Sequence, residues 1–472
     1  MSAILSSEPL YSGDVAGNAT NVYQRDPDEK SFSLEGSACV VFITGAAVSK
    51  AFQFNTARSL GYRVIAIDSE RSDGRYLVSN GDIDEFIPLE LSTDPEKAAE
   101  QCTACIKSCG KIVGGVVTFM EMAVYVTSLV AEALGLPGLP PISVACAREK
   151  GRFRLAMRSA GLPNVKSHSI RSKGDLEKAA FHVGFPAVLK PIIGADSIAV
   201  KRVNTFIDLE QAFSEAVYVL TRVDISSGFL ISPVREKGRN LRVLPIEFLL
   251  EEYLEGPEVD VDIVLRRGEC WYSGVSDNGP TKEPYFTETY GVLPSLLPTE
   301  EQNVLSELAI ESLKTLGFKD GVFHVEAKLT PCGPRIIEIN SRMGGGPICE
   351  MHRRVNQIDL CEAALRISLR LDFSPLAKII KKPCFAYMTT NAVRSGTIGD
   401  DFSFLERFRD ESGVVKIACR VKSGDAVIGP ESGQPSWLVE IWMTGDDAGK
   451  IINQICQLSD QISYLFCLSY AF

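Results

Sequence analysis

The sequence predicts a multidomain protein that begins as α/β and continues as α+β. Three observations carry this. Near the start, a buried strand, a glycine turn, a helix and a second strand ending in aspartate follow one another, the order of a parallel α/β unit. From Pro186 to Asn340, short runs alternate apolar and polar residues between Gly and Pro breaks, the mark of antiparallel hairpins. After about Asp372 the texture changes again to two strands and a helix. The 472 residues suit roughly two to four domains.

Residues 1–36 are rich in Ser, Gly, Asn, Asp and Glu without sustained periodicity, which predicts a disordered tail. Residues 38–143 are expected to form a small parallel α/β domain. Ala38 to Thr44 (ACVVFIT) reads as a buried strand. Gly45 turns the chain, a helix follows to Leu60, and Tyr62 to Ile67 is a second strand ending at Asp68. This order imitates a dinucleotide fold, but the turn GAAVSK lacks the three-glycine fingerprint, so nicotinamide binding is not expected. Ile112 to Thr118 is a third strand, leading into a helix that ends at GLPGLPP. Cys102, Cys105 and Cys109 fall at helical spacing in EKAAEQCTACIKSCG. They are expected on a buried helix face, not around a metal.

Residues 144–371 form the next expected domain. Arg148-Glu149-Lys150 opens a helix that stops at Gly161-Leu162-Pro163. Pro186 to Lys190 is a strand, Ile193 to Ser197 a glycine-containing turn, and Ile198 to Val203 a returning strand. The backbone N–H groups of such a loop, Gly194, Ala195, Asp196 and Ser197, make an anion-binding concavity. Lys190, expected on the surface of a cleft, adds a point charge suited to phosphate. An ordinary hairpin with a surface lysine is the plain alternative. Phe248 to Val264, FLLEEYLEGPEVDVDIV, is an apolar strand, an acidic link and an alternating strand. The link can offer main-chain groups to an adenine edge, and Glu258 suits two ribose hydroxyls; a solvated acidic turn is the alternative. Residues 278–295 form a polar loop long enough to cover a site. Pro298 to Gly317 and Ile358 to Leu371 are helices.

His324 to Gly346, HVEAKLTPCGPRIIEINSRMGGG, is where the chemistry is expected. Alternation on both sides of a Pro/Gly break predicts a hairpin. With the turn centred on Cys332, Ile337 lies opposite Ala327 and Glu338 opposite Glu326. Asn340 shares the face of Glu338. Two opposed carboxylates repel, and a cation between them relieves this. Two carboxylates and an amide are an all-oxygen set suited to Mg²⁺. Gly344, Gly345 and Gly346 let the backbone approach a ligand. An edge hairpin with solvated glutamates is the alternative.

Residues 372–472 are expected to form a small α+β cap without a catalytic group. Its strands are Val414 to Val421 and Trp437 to Met443, and its helix Asp446 to Leu458. The net charge of −11 argues against nucleic-acid or anionic-membrane partners, though not against a local phosphate site. Thirteen cysteines, an odd number, with no charged-then-apolar leader point to a reducing cytoplasm. No apolar run approaches the ~20 residues of a membrane span.

In combination these pieces resemble an ATP-grasp ligase. The resemblance rests on Lys150, Lys190 with its GADS loop, EEYLEGPEVDVD, HVE and EIN-x-R in that order, across about residues 38–465. HVEAKLT…GPRIIEINSRMGGG looks most like the carnosine synthase and L-amino acid (dipeptide) ligase group. The resemblance implies a two-lobed ATP-grasp domain with antiparallel sheets behind the N-terminal domain. It also implies ATP and two Mg²⁺ as cofactors, with Mn²⁺ as an alternative ion. Lys150 and Lys190 would contact ATP phosphates beneath the Gly194 to Ser197 loop. Main chain at Glu251 and Leu254 would read adenine and Glu258 hold the ribose. Glu326, Glu338 and Asn340 would bind metal. Arg342 would steady the acyl phosphate or substrate carboxylate, with Glu288, Gly344 and Gly345 on the substrate side. Bacterial ligases of this group carry Glu-x-x-His in the substrate loop. Here Glu288 is followed by Thr289, Tyr290 and Gly291, so the histidine is missing. The implied reaction joins a carboxylate and an amine through an acyl phosphate, releasing ADP and phosphate. Its partners would be small amino acids, and either a monomer or a homodimer is compatible with it. A carboxylase-type relative is set aside because RMGGG follows the asparagine. A nucleotide-binding regulator without catalysis is the alternative from another class.

Overall fold

β1 (Ala38–Ile43) is buried along its whole length, as a run without polar residues should be when both faces are covered. After it come α1 (Ala51–Ser59), β2 (Arg63–Asp68), α2 (Gly74–Asn80), β3 (Glu85–Pro88), α3 (Pro95–Ser108), β4 (Ile112–Val117) and α4 (Val124–Leu134). The four strands are parallel in the order β3-β2-β1-β4. β3 is absent from the expectation because four residues at a sheet edge give no readable period. Asp94 caps α3, its carboxylate accepting from the N–H groups of Glu96 and Lys97 at 3.1 Å. Cys102 lies in the core between α3 and the sheet, with Cys105 and Cys109 packed against it, so the helical spacing of the cysteines does mark a core face. The structure, a computed structural model, describes residues 38–194, 197–221, 224–226, 229–231, 246–373, 383–430 and 435–469. The expected tail, residues 1–36, lies outside them.

The chain continues through α5 (Pro141–Arg148), α6 (Lys150–Ser159), β5 (Ser167–Ile170), α7 (Leu176–Val183), β6 (Ala187–Pro191), β7 (Lys201–Val203), α8 (Phe206–Leu220), the paired β8 (Asp224–Ser226) and β9 (Phe229–Ile231), and β10 (Phe248–Glu252). A second sheet has the order β5-β10-β6-β7. Its core joins Leu189, Phe248 and Leu250 to Leu176, Leu209 and Leu220 of α7 and α8. β7 is shorter than the expected Ile198 to Val203, because Ser197 and Ala199 have φ of 53° and 60°, left-handed values that break a strand.

Next are β11 (Glu258–Arg266), β12 (Glu269–Asn278), β13 (Tyr290–Leu293), α9 (Thr299–Thr315), β14 (Gly321–Thr330), β15 (Gly333–Asn340), α10 (Ile348–Asn356) and α11 (Leu360–Ser368). They are followed by β16 (Cys384–Asn391), β17 (Gly396–Thr397), α12 (Glu406–Arg409), β18 (Val414–Cys419), β19 (Ala426–Val427), β20 (Trp437–Gly445) and α13 (Ala448–Ser469). Eight of these strands form one antiparallel sheet, β15-β14-β11-β12-β13-β16-β20-β18. One face of β11 and β14, with Val259, Val261, Ile263, Phe323 and Val325, packs on Leu305, Leu308 and Leu313 of α9. The period of two then sends the intervening side chains to the other face, and there the polar site is built. The last helix passes its expected end at Leu458 because Ile462 and Phe466 continue the buried stripe of Ile451 and Ile455.

Candidate active site

The hairpin of β14 and β15 turns at Pro331 and Cys332, with Thr330 opposite Gly333 and Ala327 opposite Ile336. Ile337 is therefore not the partner of Ala327, as the sequence suggests. The turn is one residue tighter than a turn centred on Cys332, and Ile337 forms a bulge that restores the register. Beyond it Glu326 faces Glu338, as expected, and His324 faces Asn340. The bulge lets Ile336 and Ile339 both enter the core, which strict alternation forbids.

The polar face extends through the neighbouring strands. On β11, Glu258 lies opposite Lys328, Asp260 opposite Glu326 and Asp262 opposite His324; on β12, Ser276 lies opposite Asp260 and Asn278 opposite Glu258. Glu258 pairs with Lys328 at 3.4 Å, and Lys328 also donates to the Leu254 carbonyl at 3.4 Å. Asn278 donates to Asp260 at 2.9 Å. Asp262 holds two histidines, His324 Nδ1 and His352 Nε2 of α10, each at 2.9 Å. His352 Nδ1 is 2.6 Å from the Tyr272 hydroxyl, which accepts from Asn356 at 2.7 Å. Burial opposes a charge on His324, but Asp262 and Asp260 outweigh it and raise its pKa to about 10. Burial raises Asp260 to about 7, although His324 pulls the other way. Asp262, also buried, is held far below the carboxylate range by the two histidines.

The opposed glutamates are unequal. Lys150, the first residue of α6, places Nζ 2.9 Å from Glu338 Oε2. Asn340 donates to Glu326 at 3.2 Å. Burial, then Glu338 and Asp260, drive Glu326 well above the usual carboxylate range. Burial also works on Glu338, but Lys150, with Lys190 and Arg342, holds it low. Lys150 thus answers part of the repulsion between the two glutamates, beside any metal that the pair would hold.

Lys190 is buried, 5% exposed, instead of standing on a cleft surface. Its ammonium pairs with Glu251, which is buried as well. Arg154, one turn along α6 from Lys150, reaches the same carboxylate at 2.5 and 3.1 Å. Arg154 also donates to the bulge carbonyls, at 2.7 Å to Ile336 and 2.9 Å to Ile337. Burial would raise Glu251, yet the two cations hold it at about 2. Arg342 reaches Glu121 at 3.1 Å, the Met343 carbonyl at 3.0 Å and Asn340 Oδ1 at 3.3 Å.

The structure thus brings Lys150, Glu326, Glu338, Asn340 and Arg342 together, with Lys190, Glu251, Leu254 and Glu258 beside them. Glu288 is exposed, but its charge acts on Asp260 and on the half-buried Tyr387. Gly344 has no room for a side chain, since a Cβ there would lie 2.6 Å from Ile348 Cγ2 and 2.8 Å from His324 Nδ1; Gly345 faces open space. Gly194 and Ser197 are described, while Ala195 and Asp196 lie outside the described residues. Sequence reading did not single out Arg154, Asp260, Asp262, His352, Lys328 or Glu121. Arg154 was findable four residues beyond Lys150, and Asp260 and Asp262 by their period of two from Glu258. His352 and Glu121 carry no local signal. Among the described residues no group of three or more His, Cys, Asp or Glu is arranged to hold a metal. Glu326, Glu338 and Asn340 nevertheless fit Mg²⁺, a hard ion that takes few protein ligands and completes its shell with water and phosphate oxygens.

Residues 183–350 match the model of the ATP-grasp domain, and residues 54–138 that of the ATP-grasp N-terminal domain. This chain belongs to the ATP-grasp family. The ATP-grasp match spans Lys190, the β10–β11 link and the whole β14–β15 hairpin. Among curated relatives, carnosine synthase 1 of Gallus gallus is 32% identical over 374 residues, 76% of this chain and 39% of the relative. Alanine–anticapsin ligase of Bacillus subtilis strain 168 is 24% identical over 289 residues, 58% of each chain. The crystal structure of L-amino acid ligase from Bacillus licheniformis superposes with a TM-score of 0.75 at 22% identity, covering 90% of this chain and 98% of that one. The chain spans about two fifths of the length of the carnosine synthases it matches. The architecture is accordingly the ATP-grasp fold, a parallel N-terminal sheet followed by antiparallel sheets.

Proposed function

We propose that this chain is an ATP-dependent carboxylate–amine ligase that forms an amide or dipeptide through an acyl phosphate, with a carnosine-type product as one candidate. The observation that carries the reading is the convergence of Lys150, Glu338, Glu326, Asn340 and Arg342 within a few ångströms. This is an oxygen-rich metal set directly bordered by cations, as γ-phosphoryl transfer requires.

In this reading, Glu326, Glu338 and Asn340 hold two Mg²⁺, with Mn²⁺ able to substitute; the metal neutralises phosphate charge. Lys150 and Lys190 bind ATP phosphates, and the Gly194 to Ser197 loop lies over them. Main chain of Glu251 and Leu254 takes the adenine edge, and Glu258 the ribose. Arg342 orients the substrate carboxylate, with Gly345 leaving room for it, Gly344 letting the backbone pass close to His324 and Ile348, and Glu288 contributing from the loop. A carboxylate oxygen attacks the γ-phosphorus, the bond to the β-phosphate oxygen breaks and ADP leaves. The amine nitrogen then attacks the acyl carbon; the carbon–oxygen bond to phosphate breaks, and phosphate and a proton leave. Positioning and charge neutralisation supply the catalysis, without a covalent enzyme intermediate. The partners are small amino acids. Free thiols throughout support a reducing cytoplasm. Among the described residues no helix is long and apolar enough to cross a membrane.

A pairwise amino-acid screen with ATP and Mg²⁺, read by phosphate release and product mass, tests the proposal. ADP and phosphate should appear in equal amounts with an amide. AMP and pyrophosphate as main products overturn it.

A further inference from the structure

Glu251 is the single carboxylate in a buried trio with two cations, Lys190 and Arg154. Their side chains are only 5%, 7% and 3% exposed, respectively, so water does little to screen them. The trio carries one net positive charge. Arg154 grips both Glu251 oxygens in a fork and donates to the Ile336 and Ile337 carbonyls. Four of its five N–H donors are thus engaged within the protein. Lys190 has three ammonium hydrogens, of which one pair with Glu251 leaves others available.

We propose that Arg154 is a positioning residue for phosphate binding: it takes up the charge of Glu251 so that Lys190 keeps a net positive charge for nucleotide phosphate, and it ties this trio to the bulge that presents Glu338. The inference rests on the ligase reading, in which Lys190 meets phosphate. Without Arg154, Lys190 and Glu251 form a neutral pair, and the lysine loses its pull on an anion. Without the Glu251 charge, Lys190 and Arg154 repel across a buried site, and Lys190 yields its proton more readily. Removing both charges returns the site to one positive charge. The single losses are therefore coupled and not additive.

The test is a cycle of Arg154→Met, Glu251→Gln and the double variant in the full chain, measured as kcat/KM for ATP with a saturating amino-acid pair. Each single variant should lose about a hundredfold, the scale of a misplaced catalytic group. The double variant should regain about tenfold over either single. A purely structural arginine predicts additive losses, with the double variant the worst of the three, and that result overturns the proposal. So does an Arg154→Met enzyme with wild-type kinetics. If Arg154→Met does not fold, Arg154→Lys takes its place in the cycle. It keeps the charge but not the fork, so it should retain most phosphate affinity while losing kcat through Glu338. Equal loss of both overturns the proposal. A wild-type chain that releases no ADP with any amino-acid pair sinks the ligase reading, and this inference with it. Wild-type turnover without rescue in the double variant sinks the inference alone.

Discussion

Lys150 Nζ lies 2.9 Å from Glu338 Oε2, and this contact sets the opposed glutamates apart, Glu338 held low by the lysine and Glu326 pushed up by burial and by Glu338. On sequence alone, Glu338→Gln removes only a repulsion and should be neutral or slightly stabilising without metal. With Lys150 in place the sign reverses. The glutamine leaves a lysine, 8% exposed at its side chain, without its charge partner. Glu338→Gln should therefore be less stable by about 1–3 kcal/mol, and its turnover should collapse because a metal ligand is lost. Denaturant midpoints read with one probe, with and without Mg-ATP, check this. Wild type should gain more from Mg-ATP than the variant. An unchanged midpoint without metal would mean that Lys150 is not held by Glu338.

Lys190→Ala should fold despite the burial of the lysine. Glu251 keeps the two-pronged contact from Arg154, so no buried carboxylate is orphaned. The expected loss is kinetic, about a hundredfold or more in kcat/KM for ATP. A folded variant with wild-type rates would remove Lys190 from the phosphate site, and circular dichroism beside ADP release separates the cases.

Two adjacent glycines should behave differently. A Cβ at Gly344 meets Ile348 and the His324 ring below 3 Å, while one at Gly345 meets nothing. Gly344→Ala should push His324 away from Asp262 and cost about 1–3 kcal/mol. Gly345→Ala should change stability by less than about 0.5 kcal/mol. Thermal unfolding of the two variants side by side measures the contrast, and equal losses would contradict the packing around His324.

The parts legible in the sequence were those whose signal is local. Alternation in HVEAKLT and EIN placed Glu326, Glu338 and Asn340 on one face, and the strand at Ala38 showed as an unbroken apolar run. The bulge at Ile337 was not legible, because the two-residue turn that demands it and a three-residue turn share the same TPCGP letters. Nor was the burial of Lys190, which depends on Glu251 and Arg154, residues far from it in the chain. His352 joined the site only because α10 folds back over β11, and a lone histidine on a helix does not announce that.

His324 makes the fold sensitive to alkali. Burial opposes its charge, but Asp262 and Asp260 raise its pKa to about 10, above the ~6.5 of an unfolded histidine. Between these values the native state holds a proton that the unfolded chain has released. Stability from His324 is thus complete below about pH 6.5 and is lost as pH rises toward 10, with a slope of up to roughly 1.4 kcal/mol per pH unit. Asp262 acts with the opposite sign, because its folded pKa is depressed. Its contribution is present above about pH 4 and is lost in acid. The pair therefore stabilises most between about pH 4 and 6.5. His324→Gln should lower stability at pH 6, where Asp262 retains only His352. It should also flatten the decline from pH 7.5 to 9.5. Glu326 and Asp260 are raised as well, and the His324 charge pulls both down, so the difference between the two slopes reports on His324 together with the carboxylates that feel its charge. Denaturant midpoints at four or five pH values give those slopes. Parallel slopes would mean that His324 is neutral in the folded chain and that Asp262 carries its charge without it.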